Sequence, residues 1–175
     1  MAAGTQTVRS LGVHGIHGYG VTVECFYSNG VSGQFEIVGL PDAAVKEARD
    51  RVRAAVKSCG FSFKPGRTTV NLAPAGTRKG GTAYDLPIFL SVLAATEQLP
   101  PLPEDCAFFG ELSLGGTLRP VSGALSMALA ARREGIQSIF VPKANAAEAA
   151  FADGVKVYGV DNVAELLMHL AGEAP

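Results

Sequence analysis

The residues best placed to do chemistry gather in one stretch, NLAPAGTRKGGTAYDLPIFL, residues 71–90. A strand-like end runs into a loop with three glycines and two adjacent cations, Arg78 and Lys79, and Asp85 then opens an apolar helix. Glycine-rich loops that feed helices cradle phosphates, because free backbone N–H groups and the helix dipole both attract an anion. Others shape the nucleophile turn of a protease. The phosphate reading fails on order. A Walker loop needs a lysine after its last glycine, at the helix entrance. Here Lys79 precedes Gly80 and Gly81, and Asp85 at the helix start would repel the phosphate that the dipole draws in. A dinucleotide fingerprint is also absent.

Other reactive types are scattered. His14 and His17 stand in GVHGIHGYG without a carboxylate or cysteine on a rigid element beside them, so a polar loop between strands is the better reading. His169, Arg132 and Arg133 fall in last turns of expected helices, where positive charge complements the dipole. Cys25, Cys59 and Cys106 are far apart and form no C-x-x-C, which points to neither zinc nor a disulfide framework. Three unpaired thiols fit a reducing cytoplasm.

These residues need a frame. Alternation of apolar and polar side chains predicts strands near 6–13, 19–27 and 32–38, with Ser28-Asn29-Gly30 as a turn signal. Pro41-Asp42 starts a helix whose apolar stripe is Val45, Ala48, Val52, Ala55, Val56 and Cys59, ended by Gly60. Arg51 falls on its charged face, with Glu47 four residues before it, a pair worth roughly 0.3 kcal/mol. A fourth strand covers 68–72. The helix after the loop, 86–96, is apolar all round and therefore belongs between layers, with Asp85 as its N-cap and Pro87 in its first turn. A hairpin of 108–114 and 117–121 around Gly115-Gly116 follows, then a helix over 123–134, a strand at 139–142, a short helix at 144–151, a strand at 155–160 and a helix over 162–171. Early strands and later alternation predict an α+β fold, a mixed sheet packed against helices.

Composition agrees. The chain has 175 residues, 47% hydrophobic and 18% charged, enough apolar content for one well-packed domain over residues 1–175. A formal net charge of −1 restricts any nucleic-acid contact to a local patch. The N-terminus has no apolar export region, and no apolar run approaches the length of a membrane span.

The phrases VGLPD, VNLAPA and YDLPI, and the order of the segments around them, closely resemble the N-terminal domain of the ComM family of magnesium-chelatase-like AAA+ proteins. The likeness runs over essentially the whole chain. More distantly, the same segments resemble the proteolytic domain of Lon, whose fold is that of the second domain of a small-subunit ribosomal protein. Aligned on Lys79 and Gly81, the position of the Lon nucleophilic serine falls on Ala83. Aligned on Ser122-Gly123, the position of its general-base lysine falls on Leu125. A methyl group cannot attack a carbonyl and a leucine cannot accept a proton, so no catalytic residue is expected. Thr82, Ser122 and Ser126 supply hydroxyls near these positions without a base. The Asp85-Leu86 step also resembles the Lon-like domain of RadA. Nothing resembles a porphyrin site.

The resemblance implies a non-catalytic accessory domain that helps assemble a ring and engages DNA in branch migration during natural transformation. The implied partners are its own AAA+ motor beyond residue 175, further copies in a homo-oligomeric ring, and DNA. ATP and magnesium would belong to that motor, with no cofactor in this domain. Arg78 and Lys79, with Lys64 and Arg67 before the fourth strand, are the candidate phosphate contacts. The alternative is an oligomerisation module without DNA contact, which the near-neutral charge favours.

Overall fold

The computed structural model describes residues 4–172. Nine strands and six α-helices follow one another: β1 (Gly4–His14), β2 (His17–Asn29), β3 (Gly33–Val38), α1 (Ala43–Lys46), α2 (Ala48–Ser58), β4 (Gly66–Ala73), α3 (Asp85–Ala95), β5 (Cys106–Phe108), β6 (Glu111–Leu112), β7 (Leu118–Arg119), α4 (Ala124–Arg133), β8 (Ser138–Pro142), α5 (Ala146–Ala149), β9 (Lys156–Val160) and α6 (Val163–Leu170). Seven strands form one sheet in the order β3-β4-β2-β1-β5-β8-β9, and β6 pairs with β7 apart from it. Antiparallel β1-β2 and β2-β4 pairs sit between parallel β3-β4 and the parallel run β1-β5-β8-β9. The expected α+β class with a mixed sheet is borne out.

Alternation decides which side chains enter the core. On β2, Val21, Val23, Cys25 and Tyr27 are buried, while Thr22, Glu24 and Phe26 point the other way. The buried set packs with Val70 and Leu72 of β4 against α2 and α3. All of α3, residues 85–95, is buried, as its uniform hydrophobicity predicts. A second cluster on the opposite side joins Leu11, Ala107, Ile139 and Val141 to α4 and α5. Gly18 on β2 lets α4 come close: a Cβ there would lie 2.1 Å from the Ser126 carbonyl oxygen. Farther along the sheet, the outward residues Glu24, Phe26, Thr69, Asn71, Glu36 and Val38 stay half-exposed or exposed.

Several local expectations change. The turn after β2 does not pair β2 with β3. Instead β4 lies between them, antiparallel to β2 and parallel to β3. The helix expected from Asp42 to Gly60 is interrupted at Glu47, although Asp42 caps it by accepting from Val45 N at 2.8 Å and Gly60 adopts φ +86. Phe108 belongs to β5 in the main sheet, so the hairpin is shorter than its sequence pattern. Ser113 and Thr117 close it around Leu114, Gly115 and Gly116. Asp85 is not an N-cap. Tyr84 holds that position without a side-chain cap, and the Asp85 carboxylate turns inward. No helix of the described residues is long and apolar enough to cross a membrane.

Candidate functional site

The glycine loop is shaped by a second segment crossing it. Lys79 N donates to Leu40 O and Asp42 N donates to Lys79 O, both at 2.9 Å, forming an isolated parallel bridge between residues 41 and 79. Asp42 then accepts from Gly81 N at 3.2 Å. The loop ends against β1 and the start of α4, leaving a cleft of about 310 Å³ between them. Its walls are Gly12 and Val13 at the end of β1, Gly80 to Tyr84 of the loop, and Val121, Ser122 and Met127. Tyr84 stands 3.4 Å from the Tyr19 hydroxyl, which also donates to Arg78 O, and burial pushes the Tyr84 phenol well up.

Ala83 lines this cleft; Leu125 sits in the first turn of α4, half-buried but not among the lining residues, its backbone N donating to Glu148 Oε2 at 3.0 Å. The glycine loop at residues 80–84 and the distant segment at Val121 and Ser122 thus meet at one cleft. Thr82, Ser122 and Tyr84 give it hydroxyls, and its lining residues include no lysine, histidine or carboxylate. The one buried lysine nearby is Lys79. Its Nζ donates to Pro74 O, no serine or threonine hydroxyl bonds to it, and desolvation lowers its pKa.

That burial corrects the expectation for Lys79 as a phosphate contact. Its side chain is 0% exposed, because zipping residues 40–42 onto the loop turns it inward. Arg78, Lys64 and Arg67 are exposed. They do not converge. Arg67 lies inside β4 rather than before it, and Arg78 follows the other end of that strand, so about 20 Å of extended chain separates the two ends. Lys64 instead joins Arg53 and Lys57 around a different cleft beside α2.

Beneath the loop lies an ion pair that the sequence did not reveal. Arg51 Nε and Nη2 bind Asp85 Oδ2 and Oδ1 at 2.6 and 3.0 Å, and Leu112 N donates to Oδ2 at 3.0 Å. Arg51 Nη2 also donates to Ala44 O. Burial raises the Asp85 pKa, opposed by the guanidinium and the Leu112 amide, while the hydrogen bond to Asp85 raises that of Arg51. The pair ties α2, α3 and β6 together. The expected Glu47–Arg51 contact is present at 3.8 Å but looser.

The remaining polar residues have structural partners. His14 and His17 pair across the tip of the β1-β2 hairpin, both exposed. His169 packs against Tyr158 and Phe140, with centroids 4.6 and 5.1 Å away. Arg133 donates to Gly18 O and Arg132 to Asp153 O, so these arginines are tethers of α4 rather than a merely solvated face. Among the described residues no group of three or more His, Cys, Asp or Glu gathers in a metal-binding cluster.

Comparison with known proteins places this arrangement. Residues 23–145 match the family described as Subunit ChlI of Mg-chelatase. Over 164 residues the chain is 43% identical to an uncharacterised protein of Mycobacterium tuberculosis, covering 93% of this chain and 32% of that protein. It is 40% identical over 154 residues to competence protein ComM of Haemophilus influenzae, covering 87% and 30%. To DNA repair protein RadA of Bacillus subtilis it is 36% identical over 92 residues, covering 53% and 20%. The chain spans about a third of the length of the first of these curated relatives. By the match over residues 23–145 and the extended identity to ComM, the chain belongs to the ComM group of the magnesium-chelatase-like family.

Proposed function

We propose that this segment is the non-catalytic accessory domain of a ComM-type magnesium-chelatase-like AAA+ ATPase, and that it assists ring assembly and DNA engagement in branch migration and natural transformation. The reading rests on one observation above all. Ala83 lines the cleft at the glycine loop, and by the resemblance to Lon it and Leu125 occupy the positions where that chemistry needs a nucleophile and a base. Thr82 and Ser122 have no general base among the lining residues to activate them. Relatives named for competence and for DNA repair support the DNA context. ATP, magnesium and the ring-forming motor belong, in this reading, to sequence following residue 175, and the three free thiols fit a cytoplasmic protein.

The test has two arms. Casein incubated with the purified chain should stay intact; turnover that survives purification free of proteases overturns the non-catalytic role. In the longer protein, deletion of residues 1–175 should weaken both ring formation and the processing of forked DNA. Unchanged assembly and unchanged forked-DNA processing would remove the accessory role.

A second reading, a protein-interaction module that never touches DNA, is favoured by the net charge of −1 and by the exposed apolar residues Ile16, Leu114 and Phe151. It expects concentration-dependent oligomers and no DNA binding even at low salt.

A further inference from the structure

The cleft beside α2 has a different character from the one at the glycine loop. It is about 440 Å³, lies between α2 and the segment leading into β4, and is lined by Arg53, Lys57, Phe61, Phe63 and Lys64. No carboxylate is among its lining residues. Three cations around one cleft are a local concentration in a chain of net charge −1. Arg49, Arg53 and Lys57 are spaced i, i+4, i+8 and all exposed, which sets them about 6 Å apart along one side of the helix. Asp50 is exposed on the same helix, and Glu97 shares a neighbouring recess with Lys64.

The cleft is also held in shape. The Arg53 guanidinium lies 4.7 Å from the Phe63 ring centroid and 5.8 Å from that of Phe35, within cation–π reach of both rings. Gln98 grips the intervening segment, accepting from Ser62 N at 2.9 Å and donating to Ser62 O at 2.7 Å. Cations in a row beside aromatic rings are what sequence-independent single-strand sites combine: charges follow the phosphates and flat groups take an unstacked base. A duplex offers no free base face to the rings, which is why the aromatic lining favours a single strand.

We propose that α2 and residues 61–64 form a binding site for single-stranded nucleic acid, with phosphates on Arg49, Arg53, Lys57 and Lys64 and a base against Phe61 and the Arg53 plane. The proposal rests on the DNA-engaging reading above and moves the contact from the glycine loop to α2. The contacts reach backbone and base faces only, so binding is independent of sequence.

Fluorescence anisotropy of a labelled oligothymidine with the 175-residue chain, over salt from about 50 to about 200 mM, tests it. The variant Arg53→Ala/Lys57→Ala/Lys64→Ala should lower the slope of log affinity against log salt by about 2, at ~0.7 for each lost phosphate contact. Phe61→Leu should weaken binding about fivefold or more while leaving that slope unchanged. Circular dichroism melts confirm that each variant folds. If the triple variant keeps both affinity and slope while Arg78→Ala loses them, this site is wrong and DNA engagement stands. If the unaltered chain does not bind oligothymidine even at the lowest salt, both fail. If inorganic polyphosphate competes fully and Phe61→Leu is neutral, the surface is a general polyanion patch and the single-strand site is overturned.

Discussion

The cleft between the glycine loop and α4 is walled by Gly12, Thr82, Ala83 and Ser122 without a charged side chain, whereas the cleft beside α2 carries Arg53, Lys57 and Lys64 on aromatic ground. The first is the smaller, and the segment 40–42 braces the loop that walls it. The second lies where no catalytic resemblance points, and its charges are exposed. The contrast is drawn most sharply on α2 itself. Arg51 faces inward to a carboxylate that is 1% exposed, and Arg53, two residues on, lies over the Phe63 ring at the surface. Within one helix, one arginine braces the fold and the other is available to a ligand.

The largest effect expected is on the inner side of that contrast. Asp85→Ala leaves Arg51 without its buried partner and should cost about 3–5 kcal/mol in urea unfolding. Arg53→Ala, which removes a surface cation–π contact, should cost only about 0.5–1 kcal/mol. Comparable losses for the two variants would erase the distinction between brace and available charge. An intermediate effect is expected where α4 packs on β2. Gly18→Ala pushes a methyl group into the Ser126 carbonyl and should cost about 1–3 kcal/mol by thermal or urea denaturation. A neutral outcome would mean that α4 is free to move off the sheet.

The smallest effect near neutral pH separates the apolar core from the charged surface of the second cleft. Burial pushes the Cys25 thiol up to about 12, with a bond to Ser91 opposing, and Cys106 up to about 11. An unfolded thiol ionises near pH ~8.5. The folded state therefore binds these protons more tightly. Stability is complete below about pH 8.5 and declines as pH rises towards the folded values, since ionisation favours the open chain. Urea midpoints should fall between mildly and strongly alkaline buffer. Midpoints that hold or rise would show that the thiols are not desolvated as described.

Elements dominated by local pattern were legible in the sequence. The strands β1 to β4 lie within a few residues of their alternating runs, and the unbroken hydrophobicity of α3 foretold its burial between layers. What depended on distant chain was not. The partner of Arg51 lies 34 residues away, so only its weaker helical neighbour Glu47 could be seen. Lys79 reads as a loop cation until Leu40 and Asp42 zip against it and turn it inward. In sequence, Arg53 and Lys57 fall with Arg51 on the face opposite the apolar stripe. Their convergence with Lys64 depends on the turn at Gly60 that brings Phe61 and Phe63 back alongside. The positions of Ala83 and Leu125 were assigned by family likeness, and the fold brings the glycine loop and the head of α4 to one cleft.

An aspartate enclosed at the first residue of α3 also limits how the neighbouring loop can deform. Unwinding the head of that helix would strand a carboxylate away from both its guanidinium and its amide. Above it, Gly80 and Gly81 are exposed, and Gly81 holds a left-handed turn at φ +83 with its N–H on the Asp42 carboxylate. The loop is thus pinned twice, from below by the ion pair and from the side by Asp42.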